Sequence, residues 1–475
     1  MRTPFAFSAI CAVFSLVSAS SRHNYNTHNY YVVEHDPEYA SLTEVASSLG
    51  VEVVERVGEL ADHWLVRTRK GLEGREEGDG VLKRHETLRA RSAETGIKYL
   101  SRQSLRQRTK RAPILERRQS DDSDGARAVA ERFGIHDPLF PDQWHIINDE
   151  EPIHSMNVVP VWEMGFTGKG IISSFIDDGL DYTSVDLKAN FVAEFSHDYN
   201  DHEDLPTPKL GDDTHGTRCA GQVGAGKNTA CGIGIAYDSK VAGVRILSGP
   251  ISDADEAAAL NFGYHNVSLY SCSWGPPDNG MVMDGPGYLI NKAVLNGINK
   301  GRGGKGSVFV FAAGNGAASG DQCNFDGYTN SIYSVTVAAV DHKGERPYYS
   351  EACTANLIAA YSSGNGKRIV TTDKGTNKCT DTHGGTSAAA PNAVGVFALA
   401  LEARPDLTWR DIQHLCVENA RQIGDGEEWQ LTAAGRNYSS NFGYGALDAT
   451  AFVQAAQKWK LVKPQTRMHT KNDPN

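Results

Sequence analysis

Short apolar runs along the chain predict strands that are buried in the interior. Residues 170–176 and 307–312 are rich in β-branched and aromatic side chains and lie next to glycines, a pattern typical of strands covered on both faces. After residue 387 the apolar positions follow a helical period, through Val394, Phe397, Ala398 and Leu401. Such strands and helices indicate an open α/β sheet, in which catalytic groups lie at the carboxyl ends of the strands.

The first hundred residues predict a separate, small α+β unit. Residues 30–34, 51–54 and 63–67 read as short strands, and residues 41–46 as a helix. The stretch that follows is charged and rich in arginine, and we expect it to be a mobile tail.

The N-terminus has the pattern of a signal peptide. One arginine precedes an apolar segment over residues 5–19, which ends in Val17-Ser18-Ala19, the small residues that signal peptidase prefers. The segment is too short to span a bilayer, and no later stretch is apolar enough to do so. We therefore expect residues 1–19 to be removed and the rest to pass through the secretory pathway or be secreted.

Three short motifs supply a carboxylate, an imidazole and a hydroxyl in that order. They contain Asp177 at the end of a predicted strand, His215 before a helix start rich in small residues, and Ser387 at a helix N-terminus. Each motif alone is typical of a turn or a helix start, but together they favour a catalytic triad. Asn315, between glycines after the strand at 307–312, is the predicted oxyanion donor; the alternative is a plain turn.

The blocks around these motifs resemble kexin and furin, the proprotein convertases of the subtilisin superfamily. They are residues 178–186, 213–221, 270–276, 326–333 and 407–411, and residues 383–391 look more like fungal kexin. The resemblance implies a subtilisin-like, doubly wound and mostly parallel sheet with helices on both faces, preceded by an α+β pro-domain. It also implies a serine endopeptidase that cleaves secretory precursors after Lys-Arg and Arg-Arg pairs.

The resemblance assigns acidic residues to the substrate groove, in which P1, P2 and P4 are the first, second and fourth substrate residues before the cut. Asp278 and Asp326 match the P1 acids, Asp178 and Asp212 the P2 acids, and Glu256 and Asp284 the P4 acids. The segment that pairs with substrate and forms the wall of the P1 slot matches Ser273, Trp274, Gly275 and Pro276. Residues 119–475 hold 43 acidic and 28 basic side chains; this excess attracts cationic peptides, although acidic surfaces also serve solubility.

Calcium is the implied cofactor, because hard carboxylate and carbonyl oxygens suit this ion. The resemblance maps one site onto Asp137, Asp186 and Asn228, with the backbone carbonyls of Ala225, Ala230 and Gly232. A second site maps onto Asp278, Asp321 and Glu351, beside the P1 pocket.

Eight cysteines are present, one of them within the signal segment. The resemblance implies disulfides Cys231–Cys379 and Cys323–Cys353, and it leaves Cys219, Cys272 and Cys416 as thiols. Cys219 lies four residues after His215 and is expected to line the active site. Asn266 and Asn437 begin glycosylation sequons.

The resemblance also divides the chain. Residues 20–111 would be an inhibitory pro-domain that aids folding, with self-cleavage after Lys110-Arg111 and further trimming up to residue 118. A second cut at residues 83–84 or 91 would release the inhibitor, and the sequence leaves that choice open. Residues 119–460 would be the catalytic domain, and residues 461–475 the start of a missing P domain or a tail.

The expected partners are precursors with dibasic sites and the chain's own pro-domain; we expect neither a nucleic acid partner nor a membrane span in this chain. Two alternatives stay open at this point. One is a broad-specificity secreted subtilisin, and the other is a poorly active or inactive fragment that lacks the P domain.

Overall fold

Two sheets of different kinds organise the chain. The computed structural model describes residues 23–71, 79–91, 95–113 and 123–466. The predicted signal segment at 1–19 and the trimming site at 117–118 lie outside these residues. The domain boundaries proposed from the sequence stay predictions.

The N-terminal unit is a four-stranded antiparallel sheet with two helices. Its strands follow the order β2-β3-β1-β4, with the bounds β1 His28–His35, β2 Glu52–Arg56, β3 His63–Arg69 and β4 Ile97–Arg102. Helix α1, Leu42–Leu49, begins at a capping box between Ser41 and Glu44. Helix α2 spans Gly80–Arg91. The predicted strands and first helix are present, each longer than the sequence pattern indicated.

The prediction of a mobile tail is wrong for the part that the structure describes. Residues 95–113 form β4 and then the short strands β5, Leu105–Arg106, and β6, Thr109–Lys110. These two strands pair with the larger body of the protein. Four basic side chains contact acids of that body, so these charges are compensated within the protein; they belong to Arg106, Arg108, Lys110 and Arg111.

The larger body contains a sheet of seven strands, all parallel. Its order is β15-β14-β13-β11-β7-β9-β8. The bounds are β7 Ile172–Asp177, β8 His197–Asp198, β9 Lys240–Arg245, β11 Leu269–Cys272, β13 Val308–Ala312, β14 Ser334–Val340 and β15 Ile358–Tyr361. Nearly every side chain of these strands is buried, as expected of a parallel sheet covered on both faces.

Helices cover both faces of this sheet, which confirms the predicted α/β class. They are α3 Asp124–Phe133, α4 Val159–Glu163, α5 His215–Gly224, α6 Asp253–Ala259, α7 Tyr288–Gly304, α8 Thr386–Ala403, α9 Trp409–Asn419 and α10 Ala449–Gln457. Helices α5 and α8 pack together on one face, and α6 packs with α7. Helix α8 is buried over most of its length and contains Pro391, which has no N–H to bond the carbonyl of Ser387.

Smaller strand pairs complete the body. The strands are β10 Ile251–Ser252, β12 Trp274–Gly275, β16 Ile369–Thr372, β17 Cys379–His383, β18 Gln430–Leu431 and β19 Asn437–Tyr438. Strand β10 pairs with β5 and strand β12 with β6, both antiparallel. Residues 105–111 therefore lie along the body as an added extended strand, a common way to bind a peptide.

Candidate active site

Asp177 and His215 form a buried pair at the carboxyl edge of the parallel sheet. Asp177 ends β7 and His215 begins α5. Both carboxylate oxygens lie 2.9 Å from Nδ1 of His215. Burial opposes protonation, but the Asp177 carboxylate raises the pKa of His215 well above the usual imidazole value. Nε2 of His215 is buried and has no hydrogen-bond partner within the described residues, so it is available to take a proton.

Asp178 fixes the start of helix α5. Its two carboxylate oxygens accept the backbone N–H groups of His215 at 3.0 Å and Gly216 at 2.8 Å. These N–H groups belong to the first turn of the helix and have no intrahelical acceptor. Asp178 is fully buried, and desolvation together with the adjacent Asp177 charge raises its pKa. His215 is thus held at its ring by Asp177 and at its backbone N–H by Asp178.

Ser387 lies in the first turn of α8 and contacts the chain's own Arg111. The side-chain Oγ of Ser387 contacts the carbonyl oxygen of Arg111, and the Ser387 N–H donates to the same oxygen at 3.3 Å. The Arg111 N–H donates to the Ser273 carbonyl at 3.1 Å. The carbonyl of Arg111 therefore occupies the position of the carbonyl that a serine nucleophile would attack.

Asn315 presents an amide donor beside this carbonyl. Its Oδ1 accepts both the N–H and the Oγ–H of Thr386, at 2.9 and 3.0 Å. This fixes the amide orientation and leaves Nδ2 buried without a partner in the described part of the chain. A Cβ at Gly385 would lie 2.6 Å from the Arg111 carbonyl oxygen and 2.9 Å from Asn315 Nδ2. The amide and the carbonyl thus border the same small space, as an oxyanion donor requires.

The side chain of Arg111 is buried in an acidic pocket. Its guanidinium contacts the Asp326 carboxylate and the backbone carbonyl of Ala312, and its Nε lies 3.5 Å from Asp278. Desolvation disfavours this buried cation, but the neighbouring carboxylates more than offset it and raise the pKa of Arg111. Both acids predicted for P1 therefore face one arginine.

Gly275 leaves the space that the guanidinium fills. A Cβ at this position would lie 2.1 Å from Nη2 of Arg111, so a larger residue would block the pocket. Trp274 is fully buried and donates its indole N–H to the Ile176 carbonyl at 2.8 Å. The four predicted wall residues, Ser273, Trp274, Gly275 and Pro276, are all buried along this edge.

Lys110 lies in a second acidic site, and one sequence assignment there needs correction. Its Nζ lies 2.7 Å from the Asp178 carboxylate, as predicted. The predicted Asp212 contributes its backbone carbonyl, at 3.1 Å, rather than its carboxylate. The second carboxylate near Lys110 belongs to Asp213, at 3.8 Å. Adjacent aspartates cannot be told apart by sequence position, and the fold directs the second one inward.

Arg108 occupies the site predicted for P4 and is almost fully enclosed. Its guanidinium donates to Glu256 and Asp284, each at 2.9 Å, and to the Tyr328 hydroxyl at 2.7 Å. Tyr328 in turn contacts Glu256. Tyr328 was missed as a site residue, although it lies in the block 326–333 that carries the resemblance. With both acids in contact, this site is as well formed as the other two.

The acids Asp278, Asp321 and Glu351 form a cluster beside the Arg111 pocket. One carboxylate oxygen of each lies within 4.8 Å of the others. Burial and the charge of Asp278 raise the pKa of Glu351 to about 8, and burial also raises that of Asp278. Three buried carboxylates this close together repel one another unless they are protonated or bind a cation. Their hard oxygen donors suit calcium, so these residues fit the predicted site.

Asp137, Asp186 and Asn228 also converge, as the other predicted calcium site requires. The Asn228 backbone N–H donates to Asp137, and its side-chain amide nitrogen lies 3.0 Å from Asp186. Burial raises the pKa of Asp137 to about 6 and also raises that of Asp186. The two acids fit a cation, whereas the side chain of Asn228 faces Asp186 with its amide nitrogen and would have to turn over to become a ligand. The Ala225 carbonyl accepts the Gly234 N–H, and the contributions of Ala230 and Gly232 stay predictions.

The structure places the cysteines where the sequence analysis expects them. Disulfides join Cys231 to Cys379 and Cys323 to Cys353. The other three cysteines in the described residues, Cys219, Cys272 and Cys416, are buried thiols. Cys219 lies 4.0 Å from Nδ1 of His215 and lines the active site.

Asn266 and Asn437 are both exposed, so both sequons are accessible for glycosylation. Within the described residues, no helix combines the length and the apolar character needed to cross a bilayer.

The sequence profile of the subtilase family matches residues 168–445. The chain is 46% identical to a dibasic-processing endoprotease of Schizosaccharomyces pombe, over 96% of this chain and 63% of the relative. It is 48% identical to kexin of Saccharomyces cerevisiae, over 72% and 42% of the two chains. It is 43% identical to furin of Rattus norvegicus, over 78% and 45%. The chain therefore spans less than two thirds of the length of each of these relatives.

Two solved structures share the fold at low identity. A serine protease of Aeromonas sobria superimposes with a TM-score of 0.63 at 21% identity, over 69% of either chain. Fervidolysin from Fervidobacterium pennivorans superimposes with a TM-score of 0.59 at 18% identity, over 91% of this chain and 62% of its own. These structures support the α/β architecture alone.

Proposed function

This chain belongs to the subtilase family, and we propose that it is a calcium-dependent serine endopeptidase that cleaves precursor polypeptides after paired basic residues. One observation carries the proposal. The Arg111 carbonyl contacts the Ser387 hydroxyl while the side chains of Lys110 and Arg111 occupy neighbouring acidic pockets. The chain presents its own Lys-Arg pair as the first substrate.

The proposed reaction is acyl transfer. Ser387 Oγ attacks the backbone carbonyl carbon of the P1 arginine, and the hydroxyl proton passes to Nε2 of His215. Asp177 orients the ring through Nδ1 and stabilises the imidazolium that forms. His215 then protonates the leaving amine, and water repeats the sequence to release the acid.

The oxyanion is stabilised from two sides. The Ser387 N–H already donates to the carbonyl oxygen of Arg111, and Nδ2 of Asn315 is free to make a second hydrogen bond as charge develops. Donors that are fixed before the reaction need no reorganisation, and loss of one costs on the order of 10²–10³ in rate.

Selectivity for basic pairs follows from the charge of the groove. Asp278 and Asp326 select arginine at P1, and Asp178 selects a cation at P2. Glu256, Asp284 and Tyr328 form a third acidic subsite, which would take a basic side chain at P4. A neutral side chain would leave these acids unpaired in a poorly hydrated groove, which is costly.

The N-terminal unit would act as an inhibitor after self-cleavage following Arg111. Its residues 105–111 pair with β10 and β12 as an extended strand, so the cut product would keep occupying the groove. Calcium would be held by the cluster Asp278, Asp321 and Glu351, where it would neutralise carboxylates beside the P1 pocket. The predicted signal segment and the two disulfides support action in the secretory pathway or outside the cell.

A peptide assay tests the proposal. The purified protein, with calcium or with a chelator, is given peptides that carry Lys-Arg, Ala-Arg or Leu-Phe before the cut, and Ser387→Ala is the inactive control. We expect cleavage in that order of rate, and only with calcium. Equal cleavage of the Leu-Phe peptide would favour a broad subtilisin, and silence on all three would favour an inactive fragment.

Self-cleavage has its own test. N-terminal sequencing of the mature protein should give Ala112 as the first residue, or a later residue after trimming. Exchange of Lys110 and Arg111 for alanine should leave the chain uncut. Normal cutting of that variant would refute maturation at this pair.

A further inference from the structure

Two histidines and a glutamate meet where the N-terminal unit contacts the larger body. His23 precedes β1, Glu55 lies in β2, and His202 lies in the turn after β8. One possible ligand atom of each residue lies within 4.8 Å of the other two. The cluster exists only while the two parts are in contact, since two of its members come from one part and the third from the other.

The two imidazoles are enclosed. The side chains of His23 and His202 are 5% and 6% exposed, and their ring centres lie 4.2 Å apart. Nε2 of His23 lies 3.2 Å from Glu55, whereas its Nδ1 is buried with no hydrogen-bond partner in the described residues. A buried ring nitrogen without a partner is uncommon and calls for an explanation.

Asp255 supplies a fourth oxygen at the same place. Its Oδ1 lies 3.9 Å from Nδ1 of His23 and 3.9 Å from Nε2 of His202. Its other oxygen accepts the Ser252 hydroxyl at 2.7 Å, which fixes the direction of the carboxylate. One oxygen is therefore held facing both histidines.

We propose that His23, through its Nε2, binds one divalent transition-metal ion, such as Zn²⁺, together with Glu55 and His202, and that Asp255 orients the His23 ring from its Nδ1 side. Imidazole and carboxylate are the donors that zinc accepts, at about 2.0–2.2 Å, which separates the donors of a tetrahedral site by about 3.4 Å. The separation of 3.2 Å between His23 Nε2 and Glu55 is already close to this value, and the other donor atoms, which lie within 4.8 Å of one another, have to close by at most about 1.4 Å.

The site differs from the two proposed calcium sites in its chemistry. Those sites offer oxygen donors, whereas this one offers two imidazole nitrogens, which favour zinc over calcium.

Zinc at this position would tie the N-terminal unit to the body. One consequence rests on the proposed function: if the unit is an inhibitor, bound zinc would slow its release after the cut at Arg111. The metal binding itself does not depend on proteolysis, so the two can fail separately.

Zinc titration of the full chain with Ser387→Ala tests the site, because this change keeps the unit attached. Calorimetry in the presence of calcium should give one Zn²⁺ per chain. His23→Ala, His202→Ala and the conservative Glu55→Gln should each weaken binding about tenfold or more, whereas His414→Ala, at an exposed histidine on α9, should not. Absence of binding, or equal binding by His202→Ala, would overturn the proposal.

X-ray absorption spectroscopy locates the ion independently. Asp177, His215 and Cys219 form another cluster of donor atoms in the described residues, and an ion there would have sulfur in its first shell. We expect nitrogen and oxygen only; a sulfur ligand would refute the assignment. Melting curves without zinc should coincide for the parent chain and the variants, which would show that the substitutions do not disturb folding. Zinc binding by His202→Asp, together with its loss in His202→Ala, would show that residue 202 acts as a ligand and not through packing.

Discussion

The carboxylate of Asp178 accepts the backbone N–H of His215 at 3.0 Å. The same carboxylate lies 2.7 Å from the ammonium of Lys110. The group that contacts the Lys110 side chain thus also holds the first residue of the helix that begins with His215, the proposed catalytic base. Recognition of lysine and the position of the imidazole therefore depend on one buried side chain.

Asp178→Asn should reduce the preference for lysine at P2. The amide keeps the shape but loses the charge that a buried ammonium needs, so kcat/KM for Lys-Arg peptides should fall about 30-fold or more. The loss for Ala-Arg peptides should be smaller, since it reflects only the weaker helix cap. Kinetics on the paired peptides check this, and an equal loss on both would mean that Asp178 acts through His215 alone.

Asp326→Asn and Asp278→Asn should both lose activity on arginine substrates, but with different responses to calcium. Asp326 contacts the guanidinium directly, and truncation of such a buried pair costs about 100-fold in kcat/KM or more. Asp278 belongs in addition to the cluster with Asp321 and Glu351. Only Asp278→Asn should therefore need more calcium for half-maximal activity, as calcium titrations would reveal. An unchanged calcium requirement in that variant would remove Asp278 from the metal site.

Arginine at P4 should accelerate cleavage through Glu256. Arg108 is buried against Glu256, Asp284 and Tyr328, so a peptide with arginine there should be cut about tenfold or more faster than its alanine counterpart. Glu256→Gln should remove most of this advantage. Equal rates for the two peptides in the parent protein would mean that the third subsite does not discriminate.

Activity should fall in mild acid, with a midpoint above the ordinary imidazole pKa. His215 must be neutral to accept the serine proton, and the Asp177 carboxylate raises its pKa. The pH profile of kcat/KM gives the midpoint. Asp177→Asn should lower both the midpoint and the rate, the latter by roughly 10⁴. A flat profile from neutrality down to about pH 4 would contradict the role of His215.

Removal of calcium should destabilise the protein more at alkaline pH than at acidic pH. Without metal, the folded chain holds a proton on Glu351 between its ordinary pKa of 4.5 and about 8. The folded state binds more protons than the unfolded state in this window, so stability falls as the pH rises through it. Calcium should cancel the effect by neutralising the carboxylates.

The gap between the melting temperature with calcium and the melting temperature with a chelator, measured from pH 5 to pH 8.5, reports this destabilisation. The gap should widen with pH and should narrow in Glu351→Gln. A gap that is constant over the whole range would place the stabilising ion elsewhere.

The sequence was informative where a residue lies inside a recognisable motif. Asp177, His215 and Ser387 each lie next to the end of a strand or the start of a helix, and the parallel sheet brings those ends together. Tyr328 and Asp213 were missed because their roles depend on the direction in which the fold points them. Asp212 was taken for the second P2 acid because neighbouring aspartates look alike in a sequence.

The N-terminal region shows a different limit. A charged stretch with arginines resembles a solvated tail when it is considered alone, yet its acidic partners in the larger body lie far away in the chain, from Asp178 for Lys110 to Asp326 for Arg111. The meeting of His23 with His202 has the same origin. Contacts between segments that lie far apart in the chain leave no local pattern in either segment.

Residues 105–111 lie along the groove as an added strand, so the covalent connection of this strand to the rest of the chain affects when the inhibition ends. While the bond after Arg111 is intact, the segment is an intramolecular ligand, and its effective concentration at the groove is independent of how much protein is present. Once the bond is cut, the same contacts bind a separate molecule, and occupancy depends on dilution. At a high concentration of the cleaved protein the N-terminal unit would stay bound and the enzyme would stay inhibited. After dilution the unit would dissociate, without any change in the structure of the enzyme.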